Sequence, residues 1–199
     1  MKKLVLFILF WLYCLVAFSQ QKVIDSLKSV LDNASEDSVV IRLLEDIALK
    51  YRYIDVEKTI EYGEKLREFA DSLNNQTALA NSFNCIGGGY YFASNYPKAL
   101  EYFHRSLELF QKLENYNRVS RVYTNIGCVY TYMAKYDSAH YFFDKCYEFC
   151  DKYNLKEVLA LNLYNDANAH FYAEEYDPMI KKLNKALSLY EQQNNEVQM

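Results

Sequence analysis

The chain has 199 residues, 51% of them hydrophobic, which is enough to bury the core of one domain. A formal net charge of −4, without a clustered excess of lysine and arginine, argues against a nucleic-acid or anionic-membrane surface. The chain has only 5 glycines and 2 prolines, so its composition favours helices over a fold rich in tight turns.

Residues 1–19 have the pattern of a signal peptide. Two lysines follow Met1, residues 4–17 form an apolar run, and Ala17 and Ser19 supply the small side chains that signal peptidase requires. An uncleaved membrane helix is the alternative, but the apolar run is shorter than the ~20 residues that a span needs. We therefore expect cleavage between Ser19 and Gln20 and export to the periplasm or another extracytoplasmic compartment.

Residues 20–36 follow as an N-terminal capping segment with one short helix near 23–31, and an internal repeat occupies residues 37–199. The repeat predicts units at about 37–76, 77–116, 117–156 and 157–199. A shift of 40 residues superimposes Tyr96, Tyr136 and Tyr176; Gly87, Gly127 and Ala167; and Phe103, Phe143 and Leu183.

Each unit contains two amphipathic patterns with helical spacing. Asparagines near the unit ends, among them Asn74, Asn115 and Asn154, predict the left-handed residues that close helices. Pro97 and Pro178 stand where the second helix of a unit begins, a position at which a missing N–H costs little.

The repeated pattern resembles the tetratricopeptide repeat. The residues that carry the resemblance are Phe83, Ile86, Gly87, Tyr90, Ala99, Phe103 and Ser106, and again Tyr123, Ile126, Gly127, Tyr130, Ala139, Phe143 and Cys146. The fourth unit departs from the signature at Asp166, His170 and Met179. The resemblance implies an all-α solenoid of helix–turn–helix units with a period of about 40 residues rather than the common 34, so we expect a second helix about six residues longer.

Three consecutive glycines, Gly87, Gly88 and Gly89, raise the question of a phosphate-binding loop. Such a loop follows a strand and carries Lys-Ser or Lys-Thr after the glycines, whereas Tyr90 and Tyr91 follow here. The resemblance implies that Gly87 is the small residue at which neighbouring helices approach closely. Gly88 and Gly89 have two interpretations. Either they reduce the side-chain bulk on the inner face of the repeats, which we call a thinned inner wall, or they are tolerated without a specific role.

The resemblance also implies that a ligand binds the concave face, which the first helix of each unit lines. Amides, hydroxyls and aromatic rings there are adaptable recognition groups, although the tyrosines have an alternative role in packing against neighbouring helices. The predicted ligand-binding residues are Asn81, Asn84, Tyr91, Phe92, Arg121, Thr124, Thr131, Tyr132, Tyr164, Asn168 and Tyr172.

No catalytic, cofactor or metal motif emerges from the spacing of the chemically reactive residues. The histidines, His104, His140 and His170, lack a neighbouring nucleophile in a triad pattern, and the chain has no CxxC or HxxxH spacing. The cysteines at 85, 128, 146 and 150 are predicted to fill small core positions, and Cys146 and Cys150 to share one helix face.

These observations predict a non-catalytic scaffold that binds a protein or peptide outside the cytoplasm. The opening of the chain also looks like the exported repeat regions of bacterial sensor and regulator proteins. The alternative is therefore the sensory part of an envelope signalling receptor whose membrane and output domains are missing from this chain; an enzyme is a distant alternative. Apolar residues of the last helix, Leu187 and Tyr190 among them, predict a homo-oligomer or a C-terminal partner domain.

Overall fold

The structure is a computed structural model that describes residues 20–197, and it divides into two compact units between Ala93 and Ser94. The predicted signal peptide, residues 1–19, lies outside the described residues. Between residues 20 and 197, no helix combines the length and the apolar character that a membrane span requires.

Helices account for nearly all of the described chain, and residues 20–197 contain no strand. The first unit contains α1 (20–31), α2 (Asp37–Tyr51), α3 (Val56–Ser72) and α4 (Gln76–Phe92). The second unit contains α5 (Tyr96–Lys112), α6 (Tyr116–Tyr132), α7 (Tyr136–Lys152), α8 (Lys156–Tyr172) and α9 (Tyr176–Val197). This all-α architecture of paired helices with a 40-residue period confirms the predicted fold class.

The helix boundaries follow a regular 20-residue spacing. Helices α4 to α8 each have 17 residues, so in the second and third repeats the second helix is not the longer one that we expected, whereas α9 in the fourth repeat has 22 residues. A left-handed residue closes the turns, with φ between 52° and 61°, at Asn74, Ser94, Glu114, Ala134, Asn154 and Glu174. The prediction from the asparagines is confirmed at Asn74 and Asn154 and is wrong at Asn115.

Asn115 instead caps the start of the following helix. Its side-chain oxygen accepts a hydrogen bond from the backbone N–H of Arg118 at 3.2 Å, and Asn75 and Asn95 make the same contact at the starts of α4 and α5. Because each cap satisfies a backbone donor that would otherwise lack a partner, it stabilises its helix by about 1 kcal/mol. The asparagines therefore specify where helices begin as well as where they end.

In the first unit, α1 is anchored by one apolar and one polar contact. Ile24 is fully buried in a core that includes Ile47 and Leu66. Lys28 Nζ donates a hydrogen bond to the Tyr51 hydroxyl at 2.7 Å, while the Tyr51 ring stacks on Tyr62 with ring centroids 5.8 Å apart. The short leading helix is thus part of the folded unit.

In the second unit, α6 packs against α5, α7 and α8. Phe143 on α7 is fully buried and belongs to a core cluster with Ala139 and Ala169. Gly127 on α6 faces the Phe143 ring so closely that an added Cβ would lie 2.5 Å from Phe143 Cε1. A small residue at this repeat position is therefore required by the approach of α6 to α7.

Candidate functional site

An aromatic cluster stands at the C-terminal ends of α2 and α4 in the first unit. The rings of Tyr53 and Phe92 meet edge to face with centroids 4.9 Å apart, and Tyr91 contacts Phe92 at the same distance. Tyr53 is 71% exposed, whereas Tyr91 and Phe92 are half-buried. We call these three residues the first aromatic cluster.

The second unit has a corresponding cluster at the C-terminal ends of α6 and α8. Ring centroids are 5.8 Å apart between Tyr132 and Tyr172 and 5.7 Å apart between Phe171 and Tyr172. All three rings are about half exposed, at 53%, 48% and 52% for Tyr132, Tyr172 and Phe171. We call these residues the second aromatic cluster. Exposed, grouped aromatic rings are typical of surfaces that bind other molecules.

The clusters include four of the predicted ligand-binding residues, namely Tyr91, Phe92, Tyr132 and Tyr172. The prediction missed Tyr53, which lies 39 residues before Phe92 and just after α2. The first helix of the first repeat aligns with that of the second repeat at the same shift of 39 residues. The repeat pattern could therefore have indicated Tyr53. Tyr164, on α8, is also exposed as a binding role requires.

The two predicted threonines are placed differently from the expectation. Thr124 and Thr131 are buried, so their side chains do not line a surface that a ligand can reach. Thr124 Oγ1 donates to Asn162 Oδ1 at 3.1 Å, and Thr131 Oγ1 donates to the backbone oxygen of Gly127 at 3.0 Å. Both side chains are buried in the second unit because α6 packs against three helices, α5, α7 and α8.

Asn81 is likewise buried and joins two helices of the first unit. Its Nδ2 donates a hydrogen bond to Glu45 Oε2 on α2 at 2.8 Å. Arg121 is half-buried and links α6 to α8 through Glu157, with Nη2 and Oε1 3.1 Å apart. Asn84 and Asn168 are also half-buried. Asn81, like the two threonines, does not line an accessible surface. A ligand-binding role for Arg121, Asn84 and Asn168 stays a prediction.

A polar cluster forms where α7, α8 and α9 meet in the second unit. The His140 Nδ1 lies 2.6 Å from Oδ1 of Asp166, and Lys182 Nζ lies 2.5 Å from the other oxygen, Oδ2. The His170 ring stacks on the His140 ring with centroids 4.0 Å apart, and its Nδ1 lies 2.7 Å from Glu175 Oε2. We call these five residues the His–Asp cluster.

The electrostatics of the cluster define the protonation of Asp166. Burial pushes the pKa of Asp166 up, but hydrogen bonds from His140 and Lys182 outweigh burial and hold that pKa below its usual value. The hydrogen bond to Asp166 raises the pKa of His140, and burial opposes this increase only in part. Because the ionised carboxylate only accepts, His140 Nδ1 carries the proton. The other nitrogen, Nε2, is buried and has no hydrogen-bond partner.

Residues 77–152, which extend from the second residue of α4 to the end of α7, match a family model for the tetratricopeptide repeat. Over these residues the chain is similar to the tetratricopeptide repeat, and its helices have the same paired arrangement throughout the described residues. No curated protein matches the chain by sequence.

Solved structures share this tetratricopeptide-repeat fold at low sequence identity. BtubC (BKLC) from P. vanneervenii is 17% identical, with a TM-score of 0.66, and the match covers 88% of this chain and 75% of BtubC. Aspartyl phosphate phosphatase F from Bacillus subtilis is 12% identical, with a TM-score of 0.74 over 89% of this chain and 50% of that one. A Rap protein complexed with competence and sporulation factor is 16% identical, with a TM-score of 0.76 over 89% and 52%. The match thus spans about half the length of the last two proteins.

The His–Asp cluster arises where the fourth unit departs from the tetratricopeptide-repeat signature. Asp166 occupies the position of Ile126 in the preceding repeat, and His170 occupies that of Tyr130. A buried carboxylate in place of an apolar side chain needs polar partners, which His140 and Lys182 supply. The departures were visible in the sequence, but the partners were not, since they lie on other helices.

Proposed function

We propose that this chain is a non-catalytic tetratricopeptide-repeat scaffold that binds a peptide or an extended segment of another protein through its aromatic clusters. The observation that carries the proposal is the recurrence of mutually contacting rings, exposed or half-buried, at the ends of the first helices of the repeats. Rings bring large contact areas at a small cost in conformational entropy, and tyrosine hydroxyls add hydrogen bonds. Helical repeats use such surfaces for binding.

The similar structures support this proposal at the level of the fold. The Rap protein with the same fold was solved in complex with competence and sporulation factor, so the fold is compatible with a bound partner. Its identity to this chain is 16%, and this chain spans 52% of its length, so the nature of the partner does not transfer. The proposal therefore specifies the binding surface and leaves the sequence of the ligand to experiment.

A peptide selected from a display library on the purified chain provides a direct test of the second aromatic cluster. We expect Tyr172→Ala and Tyr132→Ala each to weaken binding of the selected peptide by roughly tenfold or more, because each removes an exposed ring from the contact. Fluorescence anisotropy with the labelled peptide measures the affinity.

The matched control for this experiment is Tyr141→Ala, which removes a tyrosine that is 57% exposed on α7 of the same unit. The control should bind the peptide as the parent chain does. Equal losses for Tyr141→Ala and Tyr172→Ala, or full affinity in both cluster variants, would contradict the assignment.

We also propose that the scaffold acts outside the cytoplasm after cleavage between Ser19 and Gln20. The basic start, the apolar run and the small residues at 17 and 19 support this proposal. N-terminal sequencing of protein recovered from fractionated native cells should find Gln20 as the first residue in a soluble envelope fraction. A cytoplasmic protein that begins at Met1 would refute the proposal.

The sensory part of an envelope signalling receptor remains the second candidate. Ile180, Leu187 and Tyr190 on α9 are exposed apolar side chains, as expected of a helix that contacts a partner domain or another copy of the chain. The same fractionation separates the candidates, because a receptor part would be retained in the membrane fraction within a stable complex.

A further inference from the structure

We propose that His140, His170 and Glu175 form a binding site for a divalent transition-metal ion, for which Zn²⁺ is the best candidate. The three residues come from α7, α8 and the turn before α9. This inference concerns the His–Asp cluster and does not depend on peptide binding by the aromatic clusters.

The distances between the side chains are compatible with shared coordination. One ligand atom of each residue lies within 4.8 Å of the corresponding atoms of the other two. Ligand atoms around a tetrahedral zinc ion are about 3.4 Å apart, given zinc–nitrogen bonds of about 2.0–2.1 Å. Pairs that are farther apart than this need to close by no more than about 1.4 Å, whereas His170 Nδ1 and Glu175 Oε2, which are 2.7 Å apart, need to separate to admit the ion. The exposed Glu175 side chain can move, and the two imidazole rings, stacked in this structure with centroids 4.0 Å apart, would rotate out of the stack so that their lone pairs converge on one ion.

Asp166 orients the His140 ring for this role and lies close to the His170 ring. The proton on His140 Nδ1 is directed to Asp166 Oδ1, so His140 Nε2 has a free lone pair. Coordination by His170 Nδ1 would leave that ring's proton on Nε2, which lies 3.8 Å from the same carboxylate oxygen. Histidine ligands of metal ions commonly donate their second N–H to a carboxylate, and Asp166 provides this support as a positioning residue.

The buried Nε2 atom of His140 is an independent observation that indicates a ligand. A polar atom that is removed from water normally has a hydrogen-bond partner, but this atom has none. A metal ion bound at Nε2 would satisfy the lone pair. Coordination would give this nitrogen the partner that the surrounding side chains do not supply.

The charge and chemistry of the site favour a cation with nitrogen ligands. Lys182 neutralises Asp166, so the carboxylate of Glu175 leaves the cluster with a net negative charge when both histidines are neutral. Two imidazoles and one carboxylate suit zinc and similar transition metals better than magnesium or calcium, which prefer oxygen ligands. A water molecule would complete a four-coordinate zinc ion.

The test is calorimetric titration of the purified full chain with Zn²⁺ after treatment with a chelator. We expect saturable binding of one ion per chain. His140→Gln and Glu175→Gln should each weaken zinc binding at least tenfold, and Asp166→Asn should weaken it 10- to 100-fold. The matched control, His104→Gln, changes an exposed histidine on α5 and should leave the affinity unchanged.

Glu175→Gln decides the outcome even if the buried variants fail to fold, because Glu175 is exposed. Co²⁺ absorption spectra should show nitrogen and oxygen ligands without a thiolate charge-transfer band, which separates this site from the cysteines. The proposal is overturned by any of three results: no saturable one-to-one binding, equal affinity in Glu175→Gln and His104→Gln, or a thiolate signature in the cobalt spectrum.

Discussion

Phe143→Ala is expected to lower the free energy of unfolding by about 3–5 kcal/mol. Phe143 is fully buried in the core of the second unit, beside Ala139 and Ala169. Truncation to alanine removes its buried apolar surface and leaves a cavity that packed helices fill only in part. Urea denaturation followed by circular dichroism measures the loss.

The control for this prediction is Tyr141→Ala on the same helix. Tyr141 is an exposed ring, so its truncation should change the free energy of unfolding by no more than about 0.5 kcal/mol. If Phe143→Ala cost less than about 1 kcal/mol, the ring would not be the core element of the second unit that the structure shows.

Alanine in place of glycine is expected to have opposite effects at two positions of the first helices. At Gly127, an added Cβ would lie 2.5, 2.7 and 2.8 Å from three atoms of the Phe143 ring. Because that ring is buried and cannot move freely, Gly127→Ala should lower the free energy of unfolding by about 1–3 kcal/mol. At Gly88, the nearest atom is Arg52 Nε at 3.7 Å, an ordinary contact. Gly88→Ala should therefore stabilise the protein by up to about 1 kcal/mol, since alanine favours the helix.

Thermal unfolding of the two variants measures this difference directly. In the Gly127→Ala background, Phe143→Leu should recover part of the lost stability, because a smaller side chain relieves the close contact. A stabilising Gly127→Ala, or a Gly88→Ala that destabilises as strongly as Gly127→Ala, would show that the approach of the helices is not what requires glycine.

These glycines also resolve an interpretation that the sequence left open. An added Cβ at Gly89 would lie 2.5 Å from Ile60 Cγ1, so Gly89 permits close packing between α4 and α3 rather than thinning an inner wall. Gly88 makes only ordinary contacts, which is compatible with a glycine that is tolerated without a specific role. Adjacent identical residues thus have different roles, because neighbouring positions on a helix point to different surroundings.

The candidate site was predictable where binding groups follow the repeat and unpredictable where they depend on packing. Tyr132 and Tyr172 recur with the period of 40 residues, so their shared place at the helix ends follows from the sequence. Thr124 and Thr131 follow the same periodic assignment but are buried. The periodicity of one helix does not reveal how many other helices pack around it.

The sequence by itself determined the helices, their turns and the repeat. Apolar spacing and the period of the repeat act along one helix or one unit, so they can be read directly from the sequence. The left-handed turn residues were predicted only in part, because Ser94, Glu114, Ala134 and Glu174 take that conformation without being asparagine. Only the tertiary structure decided the contacts between distant residues. His140 meets Asp166 and His170 across 26 and 30 positions of the chain, because α7 packs against α8. No local sequence pattern relates residues that are so far apart in the chain. Their contact depends on which faces the two helices bury against each other.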